Sequence, residues 1–88
     1  MDLKTYVDQE RGRQTLIAQA VNAQPQLVWQ WANVRPVPAD RCGDVELATS
    51  GEVTCEELRP DLRWQRVKDK AWPHPKGRPM LDVSRVAA

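Results

Sequence analysis

The chain has 88 residues, 41% hydrophobic and 28% charged, with a formal net charge of +1. That length supports one small domain burying about 60–65% of its unfolded surface, and no apolar run approaches the ~20 residues of a membrane span. Two cysteines and one distant histidine suit neither a disulfide scaffold nor a zinc site, the Met1–Lys4 start is unlike a secretory signal, and the near-neutral total argues against a nucleic-acid binder.

Asp2 is placed to cap a first helix, with Leu3, Tyr6 and Val7 at the i, i+3, i+4 spacing of one buried face and Gly12 as its stop. The pattern resumes at Gln14, where Leu16, Ile17, Ala20 and Val21 recur at helical spacing around the small Ala18. Asn22, which tolerates the left-handed conformation, marks the end of that helix. Pro25 suits the first turn of a third helix carrying Leu27, Val28 and Trp31 and ending near Asn33. Pro38 opens a fourth, with Cys42, Val45 and Ala48 or Thr49 inward, Gly43 as a weak point and Gly51 as its end.

Thr54 and Glu57 form a capping box for a fifth helix, Val53 and Leu58 a hydrophobic staple across its start, and Pro60 its stop. Trp64, Val67 and Trp72 follow, separated by charges, and then a Pro-rich run from Trp72 to Pro79. Met80 to Val83 is a short apolar patch able to form a strand. The expectation is a helical domain over residues 1–67 and an extended or partly disordered basic arm over 68–88.

Charge is uneven along this plan. Residues 1–35 carry a net +1, residues 36–62 a net −5 and residues 63–88 a net +5. Fields between exposed charges are screened within about 8–10 Å in physiological salt, so the segments matter more than their sum.

The most informative stretch runs from Gln14 to Trp31. Two short helices crossing through a tight turn need a small residue at their contact, which Ala18 supplies, and a residue able to take positive φ four positions later, which is Asn22. Ile17, Val21, Ala23, Val28 and Trp31 are placed to fill the angle, and Gln14 to reach a phosphate from its helix N-terminus. Gln14-x3-Ala18-x3-Asn22-x5-Val28-x2-Trp31 resembles the helix-turn-helix of phage Cro and repressor proteins. Gln30-Trp31-Ala32, Arg35-Pro36-Val37-Pro38-Ala39-Asp40-Arg41-Cys42 and Val53-Thr54-Cys55-Glu56-Glu57-Leu58-Arg59-Pro60 resemble the Cro-like YdaS group of small phage and prophage regulators. The resemblance covers roughly residues 2–64. It implies an all-α, five-helix DNA-binding domain that acts as a transcriptional regulator, usually as a dimer. The chain departs from the group's habit at Asn22, in place of Gly, at Gln24, in place of Ser or Thr, and at Trp29, in place of a small polar residue.

In a helix-turn-helix the second helix enters the major groove. The candidate base contacts on that helix are Gln24, Gln26, Trp29, Gln30 and Asn33, glutamine being able to pair with adenine through two hydrogen bonds. Candidate phosphate contacts are Gln14, Arg11, Arg13 and Arg35. For Trp29, contact with thymine methyls, half-burial and an anchor for another protein stay open. The basic residues from Arg63 to Arg78 suit a nonspecific DNA arm, a solubilising tail, or a partner for the −5 segment of a neighbouring chain. Cys55 at a helix N-terminus is either reactive or a small semi-buried residue; Cys42 is expected in the core and His74 in a solvated loop. No catalytic constellation is evident. The expectation is a cytoplasmic, non-enzymatic repressor without cofactor, a homodimer on a pseudo-palindromic duplex operator. The alternative is a protein-interaction module on the same scaffold, an antirepressor or antitoxin-like partner acting through Trp29 or the C-terminal arm.

Overall fold

Why each helix starts and stops where it does is visible in a computed structural model, which describes residues 1–81. Helices α1 (Leu3–Asp8), α2 (Arg13–Ala20), α3 (Pro25–Asn33), α4 (Ala39–Ala48) and α5 (Cys55–Leu58) are followed by strands β1 (Trp64–Val67) and β2 (Arg78–Leu81). Asp2 caps α1 by accepting the Thr5 N–H at 2.7 Å. Gly12, at φ 92°, turns the chain into α2. Pro25 occupies the first turn of α3, where its missing N–H costs nothing. Thr54 and Glu57 close the capping box of α5 in both directions, an arrangement worth about 1 kcal/mol.

The core is built without phenylalanine. Leu3, Ile17, Ala18, Val21, Val28, Trp31, Val37, Cys42, Val45, Val53 and Cys55 are buried together, and Tyr6, Leu27, Leu58 and Trp64 pack against them. The expected inward stripe of α2 needs correcting. Leu16 is 64% exposed, and Ala20 also faces solvent. The buried set is Ile17, Ala18 and Val21, because α2 contributes only the narrow face that meets its helical neighbours.

The all-α expectation also needs correcting. β1 and β2 form an antiparallel pair in which Trp64 faces Leu81, Gln65 faces Met80, Arg66 faces Pro79 and Val67 faces Arg78. Residue 67, the expected end of the helical domain, is the end of β1, and its partner strand lies within the segment 68–88 expected as a separate arm. Met80 and Leu81 of the expected strand lie in β2; Asp82, Val83 and the rest of the expected arm lie outside the described residues.

What folds the hairpin back is a buried charge on α4. Glu46 is 0% exposed. Its carboxylate accepts two bonds from the Arg66 guanidinium, each 2.6 Å, one from the Trp72 indole N–H and one from the Cys55 N–H at 2.9 Å. Arg66 also donates to Glu56 and to the Gly77 carbonyl. Burial alone would raise the Glu46 carboxyl, but the bonds from Arg66, Trp72 and Cys55 outweigh it and hold the group below its ordinary value. Gly77, at φ 98°, lies so close to β1 that a Cβ there would sit 1.9 Å from the Val67 carbonyl oxygen, so no larger residue fits that turn. The charged separators around Trp64 and Trp72 are therefore part of the packing.

Arg66→Ala leaves a buried carboxylate unpaired and should cost about 3–5 kcal/mol in urea denaturation. Because the folded-state Glu46 value is depressed, its stabilisation is complete above the unfolded carboxyl's value of about 4.3 and is lost as pH falls below it; the wild-type melting temperature should drop over that acid range. Gly43→Ala should raise stability by about 0.5–1 kcal/mol, since the added Cβ would sit 3.8 Å from Pro79 Cγ, an ordinary contact, inside a helix.

Candidate nucleic-acid interface

The angle between α2 and α3 is set by one turn and two polar braces. Asn22 carries φ 56°, the left-handed conformation expected of it. Ala18, 1% exposed, lets the two helices approach. Gln14 donates its side-chain amide to the Pro25 carbonyl at 2.8 Å, tying the start of α2 to the start of α3. Arg41, from α4, donates to the Val21 carbonyl at 2.6 Å and so holds the turn from behind. No local pattern in the sequence distinguishes Arg41 from other helix-surface arginines, because its acceptor is twenty residues away.

On α3 the positions 26, 29, 30 and 33 share one face by helical spacing, opposite the buried Val28 and Trp31. Gln24, Gln26 and Asn33 are exposed, Trp29 is 48% exposed, and Gln30 is half-buried. These side chains are not equally available. Gln30 accepts a hydrogen bond from Arg35. Asn33 donates to the Trp29 carbonyl of its own helix at 2.9 Å. Gln24 is the N-cap of α3 but makes no side-chain capping bond. Gln26, in the first turn and exposed, carries both an oxygen and an amide, the pair a bidentate contact with adenine needs.

The flanking cations divide as well. Arg11 is exposed. Arg13 is turned inward: its guanidinium lies 4.0 Å from the Tyr6 ring centroid and donates to the Tyr6 carbonyl, Gln9 and Glu10. It clasps α1 to α2. Arg35 reaches back to Gln30. The α3 face is thus an uncharged, amide-rich surface with cations only at its edges.

The other candidates settle into structural roles. Cys42 and Cys55 are both fully buried. The Cys42 thiol, burial and the neighbouring Glu46 push the Cys55 thiol well above the ordinary range, which removes the reactive alternative for it. His74 is half-buried and accepts the Lys76 N–H on Nδ1 at 3.0 Å. Among the described residues no group of His, Cys, Asp and Glu could hold a metal ion, and no helix is long and apolar enough to cross a membrane.

Two helices joined through a left-handed Asn turn, with the second presenting a polar outer face, make this a helix-turn-helix protein. Residues 3–67 match the family described as "Bacterial toxin YdaS", and the chain belongs to that family. It is 46% identical over 61 residues to the Escherichia coli (strain K12) protein named "Putative transcriptional regulator YdaS", covering 68% of this chain and 62% of that protein. The chain therefore spans less than two thirds of that relative's length. Its fold is similar to that of the "Cro protein from putative prophage element Xfaso 1 in Xylella fastidiosa strain Ann-1", with a TM-score of 0.60 and 32% identity over 72% of this chain and 97% of the other.

The inward turn of Arg13 separates two edge cations by experiment. Arg13→Ala should lower stability by about 1–3 kcal/mol in chemical denaturation. Arg11→Ala, at an exposed position, should leave the melting temperature alone.

Proposed function

We propose that the chain is a Cro-like transcriptional regulator that binds duplex DNA sequence-specifically, with α3 in the major groove. The observation that carries this is the row of amides on the outer face of α3, exposed Gln26 and Asn33 with half-buried Gln30, and exposed Gln24 at its N-cap, on a helix held by Asn22, Gln14 and Arg41. Such amides read base edges through paired donors and acceptors, each good pair discriminating by about 1–3 kcal/mol. Gln26 is the central reader. Gln30 joins after releasing Arg35, which then turns to a phosphate. Trp29 lies in the middle of the face, where its ring suits thymine methyls.

One short helix covers only a few base pairs, so specificity of useful size calls for two copies. Two α3 helices spaced about 34 Å apart meet successive major grooves on one DNA face. The chain accordingly acts as a homodimer on a pseudo-palindromic operator, repressing by occluding the polymerase. No cofactor or catalytic step enters. The regulator named for the Escherichia coli relative and the Cro title of the structural neighbour support this assignment. The family's description as a toxin is compatible with it, since a protein that occupies promoters can harm a cell without any enzymatic site.

A second assignment is favoured by one observation, the 48% exposure of Trp29. Tryptophan is a frequent anchor of protein interfaces, and on that basis the same face would dock a protein as an antirepressor or antitoxin-like partner does.

The deciding experiment is selection of bound sequences from random duplex DNA by the purified protein. A paired, inverted motif is the expected result; the absence of any enrichment, together with no binding at low salt, would sink the regulator assignment. Gln26→Ala should then weaken the selected site by about 1–3 kcal/mol and relax preference at one base pair of each half-site.

A further inference from the structure

The hairpin loop after β1 concentrates cations without a carboxylate partner among the described residues. Lys4, Arg13, Arg59 and Arg66 each pair with a carboxylate. Arg63, Lys68, Lys70, Lys76 and Arg78 have no carboxylate partner among the described residues. The one acid inside the loop, Asp69, accepts the Ala71 N–H at 2.9 Å. Lys68, Lys70, Lys76 and Arg78 are all exposed. Lys68 and Lys70 border a cleft of about 370 Å³ together with Asp69, Pro75 and Gly77, the Asp69 carboxylate being engaged with the Ala71 N–H.

This loop is pinned at several points. Trp72 N–H bonds to the Asp69 carbonyl at 3.1 Å and Gly77 N–H to the His74 carbonyl at 3.0 Å. The Trp72 indole is anchored on Glu46, and the Gly77 carbonyl on Arg66. The lysines are therefore displayed from a fixed frame, with less ordering entropy to lose on binding than a free tail would have. Their chemistry favours one kind of partner. Lysine is depleted at protein–protein interfaces, where aromatic residues and arginine dominate, and the loop's aromatic side chain is engaged internally. Lysines displayed from a fixed loop suit phosphate instead, as point charges that neutralise a polyanion. The α3 face has a matching shortage: it is uncharged, whereas half to two thirds of the hydrogen bonds to DNA ordinarily go to its backbone.

We infer that the β1–β2 loop is a second DNA-contacting surface, in which Lys68, Lys70 and Lys76 bind the phosphate backbone of a duplex independently of its sequence. This rests on the regulator assignment for α3 and adds to it a separate source of affinity.

The test is a salt titration of binding to a random-sequence duplex and to a selected site. It compares the wild-type chain, the K68Q/K70Q/K76Q variant and Gln26→Ala. The triple variant should melt at the wild-type temperature, because the three side chains are exposed and unpaired. Its slope of log affinity against log salt should be shallower by about two to three on both duplexes. Gln26→Ala should keep the wild-type slope and lose preference alone. A folded triple variant with an unchanged slope would overturn the inference while leaving the α3 assignment standing. The converse, lysine-dependent binding with no sequence preference anywhere, would support the loop and sink the α3 assignment. Lysine-dependent capture of an acidic peptide or anionic vesicles without any duplex binding would also overturn it.

Discussion

A carboxylate with no access to water is tolerable only if its surroundings supply every bond that water would have made. Glu46 is in that position, and much of the C-terminal third of the described chain is arranged to meet its need. Arg66 supplies two bonds from β1, Trp72 one from the hairpin loop and the start of α5 a backbone N–H. Three stretches of chain, the start of α5, β1 and the hairpin loop, are thereby fixed to one group on α4. Replacing such a cluster by apolar residues is often no less stable, so its value lies in specificity. An apolar Glu46 would let the hairpin slide over α4, whereas a bidentate pair with defined lone pairs accepts one register.

That clasp also changes what the charge pattern means. The segments with net charges of −5 and +5 look in sequence like two poles available to other molecules. In the fold they partly neutralise each other, through Arg66 with Glu46 and Glu56. Among the described residues, Lys68, Lys70, Lys76, Arg63 and Arg78, in the loop and at the edges of β1 and β2, have no carboxylate partner, as have Arg11, Arg35 and Arg41 in the N-terminal half. Local pairing thus sorts a nominally neutral chain into a quiet interior and a basic outer rim. At a Debye length of about 8–10 Å such a rim acts on a nearby polyanion with little opposition from distant acids.

The parts of this fold legible in sequence are those decided within one helical turn or one short spacing. The Asp2 cap, the Thr54–Glu57 capping box and Pro25 at the start of α3 depend on residues two or three positions apart, and they stand as expected. Asn22 was legible for the same reason. Misplaced features depend on partners that spacing cannot name. Leu16 looked buried because its period fits, yet α2 offers only a narrow face to its neighbours. The position of Arg13 beside the motif gives no sign of its bonds to Tyr6 and Gln9, seven and four residues earlier. Glu46 and Arg66, twenty residues apart, read as surface charges on a helix and a tail, and no periodicity links a helix face to a strand not yet paired. Of the α3 face, spacing identified its residues but not their availability, since Arg35 holding Gln30 is visible only in three dimensions.

Rigidity joins these features. An amide that reads a base discriminates only if misplacement is costly, because a side chain on a mobile helix finds compromise bonds with the wrong base as well. Here the turn at Asn22 has no side-chain lock of its own. Its geometry is maintained by Gln14 across the helix starts and by Arg41 from α4. Arg41 sits on the same helix as Glu46, which anchors the hairpin at its other end. α4 is therefore the common support of both surfaces: its first half steadies the uncharged α3 face, its second half the basic loop. Under the proposed function, such an arrangement lets affinity and discrimination be adjusted separately, since a lysine can change in the loop without moving Gln26, and an amide can change on α3 without altering the charge of the loop.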